Sequence, residues 1–279
     1  MNQQKPKILI LFSGGLDSRL VVKLMQEKGY EVIALRFKLP FSKLLQDDFL
    51  KNNKIKEEII NCTKGKLLQE YLEIIKKPKF GRGTAINPCM DCKIFMFKKA
   101  KQYANKNKIE IIATGEVKGQ RPMSQTSKAL AKIDADLGFK IIRPLIELGI
   151  EGRSRKKQIE LAKKYQISYP TPAGGCLLCE PEFCKKLKPL LDKKITEQDI
   201  ELIKIGRHFE NNSIILGKNE KENIKLEKIK EKYKTEKLIL IVPEQPGPSA
   251  LIKDKKYLEQ AKSLIKKYSK HNIADFLVK

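Results

Sequence analysis

Residues 7–18 read KILILFSGGLDS. Ile8 to Phe12 form an unbroken apolar run, as in a strand buried on both faces of a parallel sheet. Gly14 and Gly15 allow a tight turn. A helix is then predicted over 17–28, where Leu20 and Leu24, and Val21 and Met25, recur at helical spacing. Gly29 ends it, and EVIALRF over 31–37 is the next strand, completing a βαβ unit.

Further out, 109–114 (IEIIAT) and 139–143 read as two more strands, with a helix over 89–105 before the first. Strands and helices alternate, so the expected fold class is α/β: an open, doubly wound, Rossmann-like parallel sheet. Residues 40–86 are polar and Lys-rich and are expected to be helical, with a loop near 78–84. Residues 151–168 read as a helix, and YPTPAGGC over 169–176 as a Pro/Gly loop. Beyond about 190 the pattern changes. Strands at 214–216 and 237–242 and helices at 220–234 and 255–269 predict a smaller α+β domain, dividing the chain into 1–190 and 191–279.

The chain has 279 residues, 41% hydrophobic and 33% charged, enough apolar content to bury a core. No apolar run approaches the length of a membrane span, and no secretory signal is legible at the N-terminus. A cytoplasmic location with no membrane partner is expected. The net charge is +25, which suits a polyanionic partner. Yet the 58 basic residues are 50 Lys and only eight Arg, so part of the excess reflects a general Lys-rich composition.

Ser13-Gly14-Gly15-Leu16-Asp17-Ser18 lies between the first strand and its helix. Two glycines let several N–H groups converge on one oxyanion, the helix adds its positive end, and Ser13 and Ser18 supply hydroxyls. Asp17 would repel a phosphate directly. It reads as a helix N-cap, or as a ligand for a Mg²⁺ that bridges to phosphate. No Lys-Ser or Lys-Thr closes the loop, so it is not of the Walker type.

Cysteines occur at 62, 89, 92, 176, 179 and 184. Asn87-Pro88-Cys89-Met90-Asp91-Cys92 opens a helix, which puts Cys89 and Cys92 on one face and favours their thiolates. Four uses are open: a thioredoxin-like redox pair, a zinc held by Cys89, Cys92, Cys176 and Cys179, a two-thiol persulfide route, and an iron–sulfur cluster on three thiols. Cys62 and Cys184 read as packing or surface thiols.

The 13–18 hexapeptide resembles the pyrophosphate loop (PP-loop) of the adenine-nucleotide α-hydrolases. That family includes GMP and NAD synthetases, argininosuccinate synthetase and tRNA thiolation enzymes. The resemblance implies that ATP is split between its α and β phosphates and that AMP is placed on the substrate. It further implies that the backbone of Leu35, Arg36 and Phe37 holds adenine and that Ala113, Thr114, Gly115 and Glu116 line the nucleotide. NPCxxC on this fold is similar to the tRNA thiouridylases. Residues 115–125 (GEVKGQRPMSQ) resemble the corresponding segment of the tRNA 4-thiouridine synthetase, and Arg143-Pro144-Leu145 resembles its RPL. Residues 172–178 (PAGGCLL) are similar to a bacterial branch of uridylate thiolation proteins. In that branch the C-terminal part looks like an NFACT-R-type RNA-binding domain, matched here at 206–209, 217–219, Asn223 and 246–249.

The resemblance thus implies an ATP-dependent tRNA sulfurtransferase that adenylates a uridine carbonyl and replaces its oxygen with sulfur. Asp17, Cys89 and Cys176 would be catalytic. Cys89, Cys92 and Cys176 would hold a [4Fe-4S] cluster, with Cys179 a candidate extra ligand; zinc and a metal-free persulfide are the alternatives. ATP and Mg²⁺ are the other expected cofactors. Expected partners are tRNA, a sulfur donor (sulfide, a cysteine desulfurase or a sulfur carrier) and a second copy of the chain. The rival classes are an amide-forming adenylating synthetase and a non-catalytic, ATP-regulated RNA-binding factor.

Overall fold

A computed structural model describes residues 5–44, 48–171, 175–233 and 237–279. The chain divides into two compact units, Met1–Cys179 and Glu180–Lys279.

In the first unit the elements are β1 (Lys7–Leu11), α1 (Leu16–Glu27), β2 (Glu31–Lys38), α2 (Phe49–Asn52), β3 (Lys56–Asn61), α3 (Gly65–Lys76), α4 (Cys89–Lys106), β4 (Ile111–Thr114), α5 (Ser127–Leu137), α6 (Pro144–Glu147) and α7 (Lys156–Lys164). The strands lie in the order β3-β2-β1-β4 and all pair in parallel. Alternate residues of β1 face opposite layers. Ile8 and Ile10 pack with Leu20, Val21 and Val22 of α1, and Leu9 packs with Phe97 of α4 and Ile133 of α5. Helices on both faces give the doubly wound architecture expected from the apolar runs.

Two expectations for this unit are corrected. The stretch 40–86 is not wholly helical, because it contains β3. That strand reads KEEIIN and pairs only with β2 at the sheet edge. Lys56 and Glu57 are exposed and Glu58 is half-buried, so the strand lacks the apolar run of a central strand. The second correction is at 139–143, which forms no strand. It contributes one parallel bridge, Ala113 to Ile142, because the chain turns into α6 at Pro144.

The second unit comprises α8 (Pro181–Leu191), α9 (Glu197–Leu202), β5 (Arg207–Phe209), β6 (Ile214–Leu216), α10 (Glu220–Tyr233), β7 (Ile239–Pro243), β8 (Ala250–Ile252), α11 (Leu258–Tyr268) and β9 (Phe276–Val278). Its antiparallel sheet has the order β5-β6-β8-β7-β9. Leu226 and Ile229 of α10 cover one face, and Ala261 and Ile265 of α11 cover the other. The expected boundary at 190/191 would leave α8 with the first unit. The helix instead belongs to the second, where Lys186 donates to the Gly206 carbonyl (2.9 Å) and accepts from Asn212 (2.8 Å). Among the described residues no helix is long and apolar enough to cross a membrane.

His208 of β5 has Nε2 2.8 Å from the Ile205 carbonyl, and burial pushes its pKa down to about 4. The unfolded chain takes up the proton first as pH falls. Stability should therefore be lost between about pH 6.5 and 4, by about 2–3 kcal/mol. Denaturation curves at pH 7 and pH 4.5 check this, and His208→Gln should remove the difference.

Candidate active site

The 13–18 loop leaves β1 where the chain crosses from β2 on one side to β4 on the other. That switch point, at the carboxyl ends of the strands, is where open α/β sheets bind ligands. Gly14 has φ +82°, a conformation open to glycine at little cost. Ser18 Oγ donates to the Gly15 carbonyl (2.8 Å) and lies 3.3 Å from Ser13 Oγ. Arg19 fastens the loop from behind, donating to the carbonyls of Gly14 (2.8 Å) and Ser168 (2.6 Å). Gly115, just past β4, approaches the start of α1 closely. A Cβ there would sit 2.8 Å from both the Asp17 carbonyl carbon and the Ser18 nitrogen.

Asp17 is not the N-cap; Gly15 takes that position and no side chain caps the helix. Nor is Asp17 in an open turn. It is half-buried, and its Oδ2 accepts from Gln120 Nε2 (3.0 Å). Its Oδ1 is buried without a hydrogen-bond partner among the described residues, near the amide of Gln158. Burial raises the Asp17 pKa, opposed by the Gln120 hydrogen bond and by the charges of Arg155 and Arg121. An orphaned carboxylate oxygen beside an anion-binding loop fits a ligand for Mg²⁺.

Of the residues expected around adenine, Leu35 spends its carbonyl on the Phe12 N–H (2.9 Å). Arg36 is buried and paired with Glu57 (2.6 Å), so its guanidinium is engaged inside the sheet. Phe37 follows on β2, and Thr114 ends β4 beside Leu11.

The cysteine helix starts at Cys89. Asn87 donates to Cys89 Sγ (3.2 Å), and the hydroxyl of buried Tyr71 lies 3.6 Å from Cys92 Sγ. Asp91, between the two cysteines, is structural: its carboxylate accepts from the backbone N–H groups of Lys79 (2.8 Å) and Phe80 (3.1 Å). Arg82 likewise serves the fold, capping α3 through the carbonyls of Ile75 and Lys76 (2.8 Å each). Cys176 is pinned rather than free. It bridges Ser42, and the next residue donates to the Phe41 carbonyl (2.8 Å). Part of the expected Gly-rich motif, 172–174, lies outside the described residues. Cys62 and Cys184 are buried, and Cys179 is exposed.

The helix-start effect does not win at Cys92. Burial pushes Cys92 up to about 11 against the Tyr71 contact, and pushes Cys176 up to about 12, to which the charges of Cys92, Cys179 and Cys89 add. Cys89, Cys92 and Cys176 are thus electrostatic neighbours, and three thiols are the right donors for an iron–sulfur cluster. In this arrangement, however, no three Cys, His, Asp or Glu side chains among the described residues converge to hold a metal ion.

The two halves of the site are joined by an ion network that the sequence did not disclose. Lys93, the residue after Cys92, pairs with Glu116, the residue after Gly115. Glu116 is 3% exposed and also accepts from Arg143 (2.9 Å), which forks onto Asp134 (2.7 and 3.0 Å). Burial lowers the Lys93 pKa, opposed by Glu116. Tyr71, Asn87 and Lys93 are seen only once the chain is folded, although their nearness to CxxC was a usable signal for the last two.

A parallel sheet with a glycine loop at its switch point is the architecture of the PP-loop class of α/β proteins, and here a cysteine helix is tied to the adjoining strand. The sequence model of the family described as thiamine biosynthesis protein (ThiI) matches residues 3–187. The chain belongs to the ThiI family. It is 30% identical over 204 residues to a probable tRNA sulfurtransferase of Finegoldia magna, covering 70% of this chain and 49% of that protein. It is 33% identical over 224 residues to a protein of the same description from Thermoanaerobacter sp. (strain X514), covering 75% and 54%. The chain spans about half the length of the curated relatives it matches. A crystal structure of a 4-thiouridine synthetase–RNA complex with bound ATP aligns at TM-score 0.46 and 22% identity, over 67% of this chain and 51% of that one.

Proposed function

We propose that the chain is a cytoplasmic, ATP-dependent tRNA sulfurtransferase. The observation that carries this reading is the Lys93–Glu116 ion pair, which ties the thiol-bearing helix to the strand end beside the phosphate loop. Activation and sulfur delivery are then neighbours within one unit.

A uridine carbonyl oxygen is a poor leaving group. Its attack on the α-phosphorus of ATP expels pyrophosphate and places AMP on that oxygen. A sulfur nucleophile then adds at the same carbon, and AMP departs with the oxygen. The 13–18 loop holds the phosphates through backbone N–H groups and hydroxyls. Asp17 would hold Mg²⁺, which supplies positive charge to the phosphates.

Cys89 and Cys176 handle sulfur received from sulfide or from a desulfurase or carrier. The ligand set Cys89, Cys92 and Cys176 for a [4Fe-4S] cluster is part of this proposal, with Cys179 as the fourth ligand in the zinc alternative. The second unit binds RNA in the NFACT-R manner, and a homodimer is the proposed assembly.

The test incubates tRNA with the anaerobic protein, ATP, Mg²⁺ and sulfide, then quantifies thiouridine by nucleoside mass spectrometry and pyrophosphate release. Both products are expected. Pyrophosphate without thiouridine would favour another adenylating synthetase, and neither product would favour a non-catalytic RNA-binding factor. Asp17→Asn keeps an acceptor for Gln120 but removes the charge. It is expected to lower pyrophosphate release about a hundredfold or more with the fold intact.

A further inference from the structure

Arginine is scarce in this chain, eight residues against 50 Lys, so where each guanidinium sits is informative. Four of those in the first unit are built into it. Arg19 holds the loop carbonyls, Arg36 pairs with Glu57, Arg82 caps α3, and Arg143 forks onto Asp134 and Glu116. Arg207 of the second unit lies over the Tyr268 ring at 4.9 Å. The remaining three, Arg121, Arg153 and Arg155, fall on two short segments beside the phosphate loop.

Those segments are zipped together. Gly152 N–H donates to the Lys118 carbonyl (2.7 Å), the backbones of Lys118 and Glu151 form a parallel bridge, and their side chains pair at 2.8 Å. From this platform Gln120 reaches Asp17 at 3.0 Å, and Arg121 is the next residue. Arg155 is the N-cap of α7, three residues before Gln158 on the same helix. Gln158 is 0% exposed and its amide faces Asp17. The charges of Arg121 and Arg155, carried on these two segments, both act on the Asp17 carboxylate. Arg121 is exposed and makes no ion pair or hydrogen bond through its side chain among the described residues. Arg155 is half-buried over the Tyr169 ring at 5.7 Å, which presets its plane.

A planar fork that is always charged suits phosphate oxygens better than the lysines that abound elsewhere in the chain. We propose that Arg121 and Arg155 form a guanidinium clamp on the β- and γ-phosphates of a nucleoside triphosphate seated on the 13–18 loop. The clamp rests on the reading of that loop as an ATP site. It adds a subsite that distinguishes triphosphate from monophosphate and holds the leaving pyrophosphate.

Calorimetric titration of the full chain with ATP·Mg²⁺ and with AMP tests it. Arg121→Ala and Arg155→Ala are each expected to weaken ATP·Mg²⁺ binding about tenfold to a hundredfold. Arg→Lys variants should recover little of that loss. AMP affinity should stay within about twofold in every variant, which also shows that the fold is retained. Arg153→Ala should bind ATP·Mg²⁺ like the unmodified chain. Unchanged ATP affinity in both alanine variants would overturn the clamp, as would an equal loss for AMP. A loss of tRNA affinity with ATP binding intact would overturn it too and assign the pair to RNA phosphates. If the clamp variants behave as expected while the unmodified chain makes no thiouridine, the clamp stands and the sulfurtransferase reading falls.

Discussion

Gly115→Ala is expected to abolish ATP·Mg²⁺ binding and to cost about 1–3 kcal/mol of stability. The added methyl would meet backbone on every near side: the Asp17 carbonyl carbon and Ser18 nitrogen at 2.8 Å and the Asp17 oxygen at 2.9 Å. A side chain could swing away; the first turn of α1 cannot without moving the phosphate loop. Gly29→Ala is the matching control. It also strains a positive φ (+84°), but nothing lies within 4 Å of the new methyl and it is remote from the loop. It should cost about 1 kcal/mol and leave ATP binding unchanged. Chemical denaturation and titration calorimetry on the two variants separate the effects. Equal ATP affinity in both would show that the close approach of β4 to α1 is irrelevant to the site.

The second large effect concerns the thiols. Cys89→Ala, Cys92→Ala and Cys176→Ala are each expected to lose thiouridine formation while still binding ATP·Mg²⁺, whereas Cys179→Ser should retain most activity. In the metal-free folded chain burial pushes Cys92 up to about 11 and Cys176 up to about 12, so both thiols are protonated at neutral pH. Their alkylation should therefore be slow at pH 7 and accelerate as pH rises toward those values, where the thiolate appears. Iron and sulfide in anaerobically purified protein, lost in each of the three alanine variants, would support the cluster. Colourless, zinc-loaded protein would refute it. Retained activity in Cys92→Ala alone would favour the two-thiol route through Cys89 and Cys176.

The sequence disclosed what is encoded locally. An apolar pentapeptide, a double glycine and a helical repeat sit within thirty residues, and their geometry follows from neighbours in the chain. The edge strand β3 was hidden because an edge needs no continuous apolar run. The strand expected at 139–143 failed because Pro144 starts a helix before pairing can extend. At the site, residue types and spacing disclosed the phosphate loop and CxxC, but not their partners. Tyr71 reaches Cys92 across 21 residues, Gln120 reaches Asp17 across 103, and Lys93 meets Glu116 across 23. Nor could spacing reveal that burial would override the helix end at Cys92, because desolvation is a property of what packs above the thiol.

The sheet order also sets a timetable. β1, α1 and β2 pair through short connections and can assemble as soon as they are made. β4 must return from far along the chain to lie beside β1, Ile111 against Ile8. Closing so long a loop is slow and entropically costly. Because Gly115 rides in on β4 and completes the wall of the phosphate loop, a nascent chain has strand, turn and helix well before it has a finished nucleotide site. A nucleotide that binds only the finished site then acts as a folding ligand. It draws the chain past its latest step, and it raises the melting temperature with the logarithm of the ratio of its concentration to its dissociation constant.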